Sequence, residues 1–249
     1  PETADPPGAA ALREQLAHAK ALDEAGRFDA ALGIVREALD QAHRIGARAV
    51  EAELLYRRGH LERVANTGDP QATLHEAAIT ALAAHDDGAA ADAWTYLSYV
   101  AGFDAGHAAD GERWSSYAAA AIERLGGDDV REARRLHYLF GLIYTDDKRA
   151  EEARALLDRA HQLVVRAGNP EQLAIIDEQD RAGFALQQGR LDDAYAAYHS
   201  VRERTERLVG PDNPGLTTSL ANEAVALVLL GKPADAVPVY RRILAMDGS

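Results

Sequence analysis

From Gly210 to Leu244 the chain carries two successive helical patterns. Thr217 to Leu230 is apolar at Leu220, Ala224, Leu227 and Val228, the spacing of one face of an α-helix. After Gly231-Lys232-Pro233, Ala234 to Leu244 is apolar at Ala236, Val237, Tyr240, Ile243 and Leu244. A helix pair this short cannot cover its own apolar face, so it has to be stacked on others. The same patterning runs back through the chain. It predicts helices near 10–25 and 28–45, 47–66 and 70–84, 88–102 and 112–125, 129–146 and 150–167, 171–188 and 191–208, and 215–230 and 234–246. Gly46, Gly168 and Gly210 read as helix stops, and no strand pattern competes.

The turns set a register. Gly26, Gly68, Gly189 and Gly231 occupy equivalent places, with Lys148 standing in the same place in DKRAEEAR. The steps between them are 42, 80, 41 and 42 residues, the second being two units of about 40. Five places after four of these turns comes a small residue: Ala31, Ala153, Ala194 and Ala236. Four further on stand Val35, Leu157, Tyr198 and Tyr240, and three beyond those Ala38, Ala160, Val201 and Ile243. Small residues at fixed places let helix axes approach closely while larger ones fill the adjacent groove.

The first helix of a pair carries its own signature. Trp94-x-x-Leu97-Ser98-x-x-Ala101 and His137-x-x-Phe140-Gly141-x-x-Tyr144 follow the W-x₂-L-G-x₂-Y spacing, and Leu220, Ala224 and Leu227 take the same places in the last unit. On these residues the chain resembles the tetratricopeptide repeat family. Its GPDNP connector and ~42-residue unit look like the longer, kinesin-light-chain-type form found in bacterial multidomain proteins. HEAT and armadillo pairs run at a similar length, but the alanine and aromatic spacing favours the tetratricopeptide reading. The resemblance implies an all-α, right-handed superhelical solenoid of about six antiparallel helix pairs. Its units would be about 10–46, 47–87, 88–127, 128–169, 170–210 and 211–246, in a single domain over 10–246. Unit two departs from the pattern at Pro70 and Thr73. Unit three has a longer connector, roughly Gly102 to Gly111, whose glycines would make it mobile.

Composition narrows the picture. Apolar residues make up 47% and aromatics 6% of the 249, as in an Ala- and Leu-rich helical protein. No cysteine is present, which rules out a disulfide framework, a Cys-ligated metal and a thiol nucleophile; a cytoplasmic location is the expectation. No apolar run approaches the roughly 20 residues of a membrane helix. The opening PETADPPG reads as a disordered linker over 1–9, and the whole as a module cut from a longer polypeptide. The net charge of −13 is uneven: residues 67–130 hold two basic and eleven acidic side chains. That acidic stretch favours a basic partner segment, and without a basic stripe no nucleic-acid footprint is expected.

Catalytic patterns are missing. His75-Glu76 begins a zinc-helix motif, but Ile79 stands where the second histidine is required. His85-Asp86-Asp87 reads as a polar turn. The doublets Asp86-Asp87, Asp128-Asp129, Asp146-Asp147 and Asp192-Asp193 fall in turns or first helical turns, where acids suit the helix dipole. No enzyme activity, cofactor or metal is expected.

What remains is a binding surface. Stacked helix pairs present the first helix of each pair along one wall. The family's groove positions map onto Arg57, His60, Tyr96, Tyr99, Arg135, Tyr138, Gln179, Asp180 and Asn222. The resemblance gives Asn222 the role of an amide that bonds the main chain of an extended peptide. The tyrosines would supply rigid contact area and Arg135 a fork for carboxylates. The expectation is a protein-interaction module for an extended or helical peptide, with a neighbouring kinase or regulator by analogy alone. Two other readings stand beside it. The apolar Val237, Val239, Tyr240, Ile243, Leu244 and Met246 suit self-association through the last helix pair, and Tyr96, Tyr99 and Tyr138 could line a small-molecule pocket.

Overall fold

The computed structural model describes residues 6–247. Twelve α-helices and no strand lie among them: α1 (Ala9–Glu24), α2 (Phe28–Ile45), α3 (Arg48–Val64), α4 (Pro70–Ala83), α5 (Asp87–Tyr99), α6 (Ala108–Arg124), α7 (Asp129–Ile143), α8 (Ala150–Arg166), α9 (Glu171–Gln187), α10 (Leu191–Val209), α11 (Thr217–Leu229) and α12 (Pro233–Asp247). The fold class is all-α and made of helix pairs, as the periodicity implies. None of the described helices is long and apolar enough to cross a membrane. Of the segment 1–9 expected to be a linker, residues 1–5 lie outside the described residues, and α1 begins at Ala9.

Local chemistry sets the helix ends. The Asp69 and Asp86 carboxylates accept from the backbone N–H of Ala72 and Ala89, capping α4 and α5. Asp128 does the same for Arg131 at the start of α7, and Asp146 for Lys148. Three of the four acidic doublets thus supply caps, while Asp192-Asp193 lies in the first turn of α10. Gly46 and Gly210 close α2 and α10 with φ of +70° and +93°, a region side chains resist. Lys148 stands where the other repeats have a glycine, and there the chain makes a 3₁₀ turn over Asp147–Arg149.

The chain divides into two compact units, the first ending at Ile143 and the second beginning at Tyr144. In the first, α1 packs on α2, α3 on α4 and α5 on α6, and each second helix packs on the next first helix. The first helices α1, α3, α5 and α7 also touch in succession, forming one layer. Ala31, Val35, Ala38, Leu54, Leu74 and Leu97 are buried in this core. In the second unit, α8 packs on α9, α9 on α10, α10 on α11 and α11 on α12. Ala182, Ala194, Tyr198 and Ala226 form one buried cluster there, and Ala224, Leu227 and Ala236 another. Tyr240 and Leu244 of α12 stay largely exposed, whereas Val35, Leu157 and Tyr198, the counterparts of Tyr240, are buried.

One expectation is corrected. The mobile connector over 102–111 is mostly helical: α5 runs on into a π-helical turn, Val100–Asp104, and α6 starts at Ala108 rather than Glu112. Gly102 and Gly111 explain why. A Cβ on Gly111 would lie 2.8 Å from the Gly102 Cα and 2.6 Å from a Leu142 methyl of α7. The two glycines let the end of α5 meet the start of α6, with Leu142 packed over both.

Candidate functional site

The layer of first helices in the first unit carries a continuous cluster of aromatic and charged side chains. On α5 it follows the helical spacing Asp92, Tyr96, Tyr99, with Phe103 added by the π turn; Tyr96 is buried in one core cluster with Trp94, Leu97 and Ala101, and Tyr99 packs against it. Tyr99 stacks on Phe103 with ring centres 5.2 Å apart and lies 4.9 Å from Tyr138 of α7. Tyr96 contacts Tyr56 of α3 at 5.9 Å and Tyr138 at 6.4 Å. These offset and tilted arrangements suit aromatic quadrupoles.

Charged groups frame the rings. Arg63 of α3 lies 4.8 Å over the Tyr99 ring, donates to the Tyr99 hydroxyl at 3.2 Å, and pairs with Asp104. Across α1 and α3, the Asp23 carboxylate takes the Arg57 guanidinium and, at 3.2 Å, His60 Nε2. His60 Nδ1 lies 3.0 Å from the Tyr96 hydroxyl. Burial alone would push Asp23 up, but the hydrogen bonds and charges of His60 and Arg57 outweigh it and hold the carboxyl below its usual range. Burial pushes the Tyr96 and Tyr138 hydroxyls up, so both stay protonated. On the far side, Asp92 accepts a two-pronged bond from Arg131 at 3.1 and 3.0 Å, with Arg134 at 3.9 Å.

Of the residues singled out from sequence, Arg57, His60, Tyr96, Tyr99 and Tyr138 come together in this cluster. Arg135 does not. It is 8% exposed and points at α6, donating to the Ser115 hydroxyl at 2.9 Å and to Glu132 at 2.8 and 2.7 Å. Gln179, Asp180 and Asn222 belong to the second unit, on α9 and α11, and are half-buried. Beside Asn222, the buried Glu223 accepts from His199 at 2.6 Å and Arg202 at 2.8 Å. Residues that sequence reasoning passed over are Asp23, Tyr56, Arg63, Asp92, Phe103 and Arg134. Arg63 follows His60 by three places and Phe103 follows Tyr99 by four, so helical spacing alone reaches both.

This is a scaffold of helix pairs, with the cluster just described on the first helices of its first unit. Residues 172–249, spanning α9 to α12, match the family model described as Tetratricopeptide repeat. Over that stretch of its second unit the chain is similar to tetratricopeptide-repeat proteins. Repeats of this kind are non-enzymatic and generally serve protein–protein interaction. No curated protein matches the chain.

Proposed function

We propose that this chain is an interaction module that binds an extended or helical peptide segment along its first-helix face, with residues 10–246 acting as one cytoplasmic repeat array. The observation that carries the proposal is the Tyr56, Tyr96, Tyr99, Phe103 and Tyr138 cluster edged by Arg57, Arg63 and Arg134. Phe103, 51% exposed at its rim, offers an apolar contact beside cations that can take a carboxylate. In the second unit Asn222 is the candidate for bonding a peptide main chain. Arg135 drops out of the contact set because it is buried and turned toward Ser115 of α6.

Selection of binders from a random peptide library tests this reading. The selected peptides should lose at least tenfold in affinity, about 1.4 kcal/mol, with Phe103→Ala or Arg57→Ala. Phe103→Ala is expected to leave the melting curve within ±0.5 kcal/mol of the parent, since the side chain is exposed. Peptides whose affinity ignores both substitutions would sink the proposal.

A further inference from the structure

A second feature lies away from the first-helix face. Between α4 and α6 of the first unit is a cleft of about 480 Å³, within the range of ligand-sized pockets. Its floor is Trp94 of α5, 4% exposed, stacked on Trp114 of α6 with ring centres 5.2 Å apart and planes within 9°. His75 of α4 meets both tryptophans edge-on at 5.5 and 5.7 Å, and Tyr117 of α6 does so at 5.5 and 5.6 Å. Tyr117 and Ile79 are 47% and 48% exposed, so apolar surface stays open on both walls.

Trp94 and Tyr96, two residues apart on α5, project about 200° apart around the helix. The cleft therefore belongs to the opposite side from the tyrosine cluster. Its electrostatics are one-sided. Residues 67–130, which hold α4 to α6, carry eleven acidic and two basic side chains, and eight of the acidic ones remain once Asp92, Asp104 and Asp128, which Arg131 and Arg63 hold, are set apart. Both basic groups are already engaged. Arg113 lies 4.7 Å over the Trp114 ring and bonds Asp110 at 2.8 Å, and Arg124 on the rim pairs with Asp87 at 3.1 Å. Glu76 stays exposed one turn before Ile79.

We propose that this cleft is a second docking site, for a basic peptide segment that presents one aliphatic or aromatic side chain between lysines or arginines. The anchor side chain displaces water from the tryptophan, tyrosine and isoleucine walls, and its burial drives binding. The flanking cations meet the acidic surround, which raises the encounter rate and sets the sign of the partner. The cleft's open walls suit a side chain projecting from a larger partner better than a small ligand, which pockets normally enclose on most sides.

The chain has two tryptophans and both lie in the cleft, so tryptophan emission reports this site alone. The probe is the acetylated, amidated hexapeptide Lys-Lys-Leu-Phe-Lys-Lys. A saturable emission change is expected with it. Binding should be at least tenfold weaker with Glu-Glu-Leu-Phe-Glu-Glu, with Lys-Lys-Ala-Ala-Lys-Lys, or with N-acetylphenylalanine amide. Ile79→Lys and Tyr117→Ala, both at exposed positions, should each weaken the basic peptide at least tenfold with an unchanged circular dichroism spectrum. Phe103→Ala should leave this binding unchanged while impairing the first-helix face, which separates the fate of the two proposals. No saturable change up to about 1 mM, a limit near −4 kcal/mol, would overturn it. So would equal affinity for the acidic peptide or the small amide, or sensitivity to Phe103→Ala.

Discussion

The two units are built from the same helix pairs and hold them together differently. The first, up to Ile143, contains ten of the fifteen aromatic residues, most of them in ring-to-ring contact on two of its surfaces. The second, with five of the aromatics, ties its helices through hydrogen bonds and ion pairs of a kind that the first also has at Asp23–Arg57, Asp104–Arg63 and Asp92–Arg131. His161 reaches Asp177 at 2.7 Å, His199 and Arg202 share Glu223, Arg204 bridges Glu171 and Glu178, and Arg242 reaches Glu206 at 2.7 Å. The family match over 172–249 falls within the second unit. A repeat family is recognised by the small and large residues that set helix packing, such as Ala194, Tyr198, Ala224 and Ala236. Side chains that would select a partner sit between those positions. The region that matches the family model is thus a poor guide to where the distinctive chemistry lies.

The sharpest way to break this comparison is to remove an ion pair from each unit. Glu223→Ala strips a buried carboxylate from both His199 and Arg202. We expect a cost of about 2–4 kcal/mol, below the full range for a broken buried pair because Arg202 keeps Glu206 at 2.8 Å. Asp104→Ala in the first unit removes a pair that is about a third exposed on both sides, and should cost about 0–1 kcal/mol. Local hydrogen exchange in α11 and α5 reads the two separately. Equal losses would show that the second unit has no special dependence on its ion pairs.

Most of the fold was legible from spacing. Eleven of the twelve helices begin within two residues of their expected starts, because apolar periodicity and turn glycines mark the same positions. The start of α6 was missed for a physical reason. Gly102, Gly106 and Gly111 look like loop residues in one dimension, whereas two of them are there to let helices touch, a long-range demand that local patterning does not express. The candidate surface was partly legible. Tyr96, Tyr99 and Tyr138 follow from the groove positions that the family resemblance implies. Arg135 was assigned outward, but the carboxylate of Glu132 and the hydroxyl of Ser115 hold it against α6. Only the packing between helices decides such a side chain's direction.

Those same glycines give the next test. Gly111→Ala brings a Cβ within 2.9 Å of the Ser98 carbonyl oxygen as well as the Gly102 Cα, backbone atoms that cannot swing aside. Overpacking should outweigh the gain in helix propensity and cost about 1–2 kcal/mol net. Gly33→Ala on α2 is the control, since nothing lies within 4 Å of its Cβ position. There the propensity gain acts alone and should stabilise by about 0.5–1 kcal/mol. Thermal melts of the two variants should move in opposite directions. Melts that both rise would mean the α5–α6 junction is looser than the ring-packed first unit requires.

The smallest effect at neutral pH becomes visible in alkali. Burial, with a further push from Tyr56 and Tyr96, raises the Tyr138 hydroxyl above its ordinary value of 10.0, and burial likewise raises Tyr56 and Tyr96. An unfolded tyrosine loses its proton near pH 10, whereas the folded one keeps it. The stability these groups contribute is therefore fully present below pH 10 and falls as pH rises past it. Each contributes a slope of up to about 1.4 kcal/mol per pH unit while its folded form stays protonated. In the second unit Tyr198 is pushed up to about 12, by burial first and then by the charges of Tyr144 and Asp180. Its contribution stops falling near that pH. Tyr138→Phe should change stability little at pH 7 and flatten the pH dependence of the first unit between pH 10 and 12. Tyr198→Phe should flatten that of the second unit over the same window. Urea unfolding at pH 7, 10 and 11.5 measures both, with exchange in α7 and α10 assigning each change to its unit. Tyr138→Phe leaving the alkaline slope unaltered would mean that its hydroxyl reaches water, and that the tyrosine cluster is an open surface rather than a packed one.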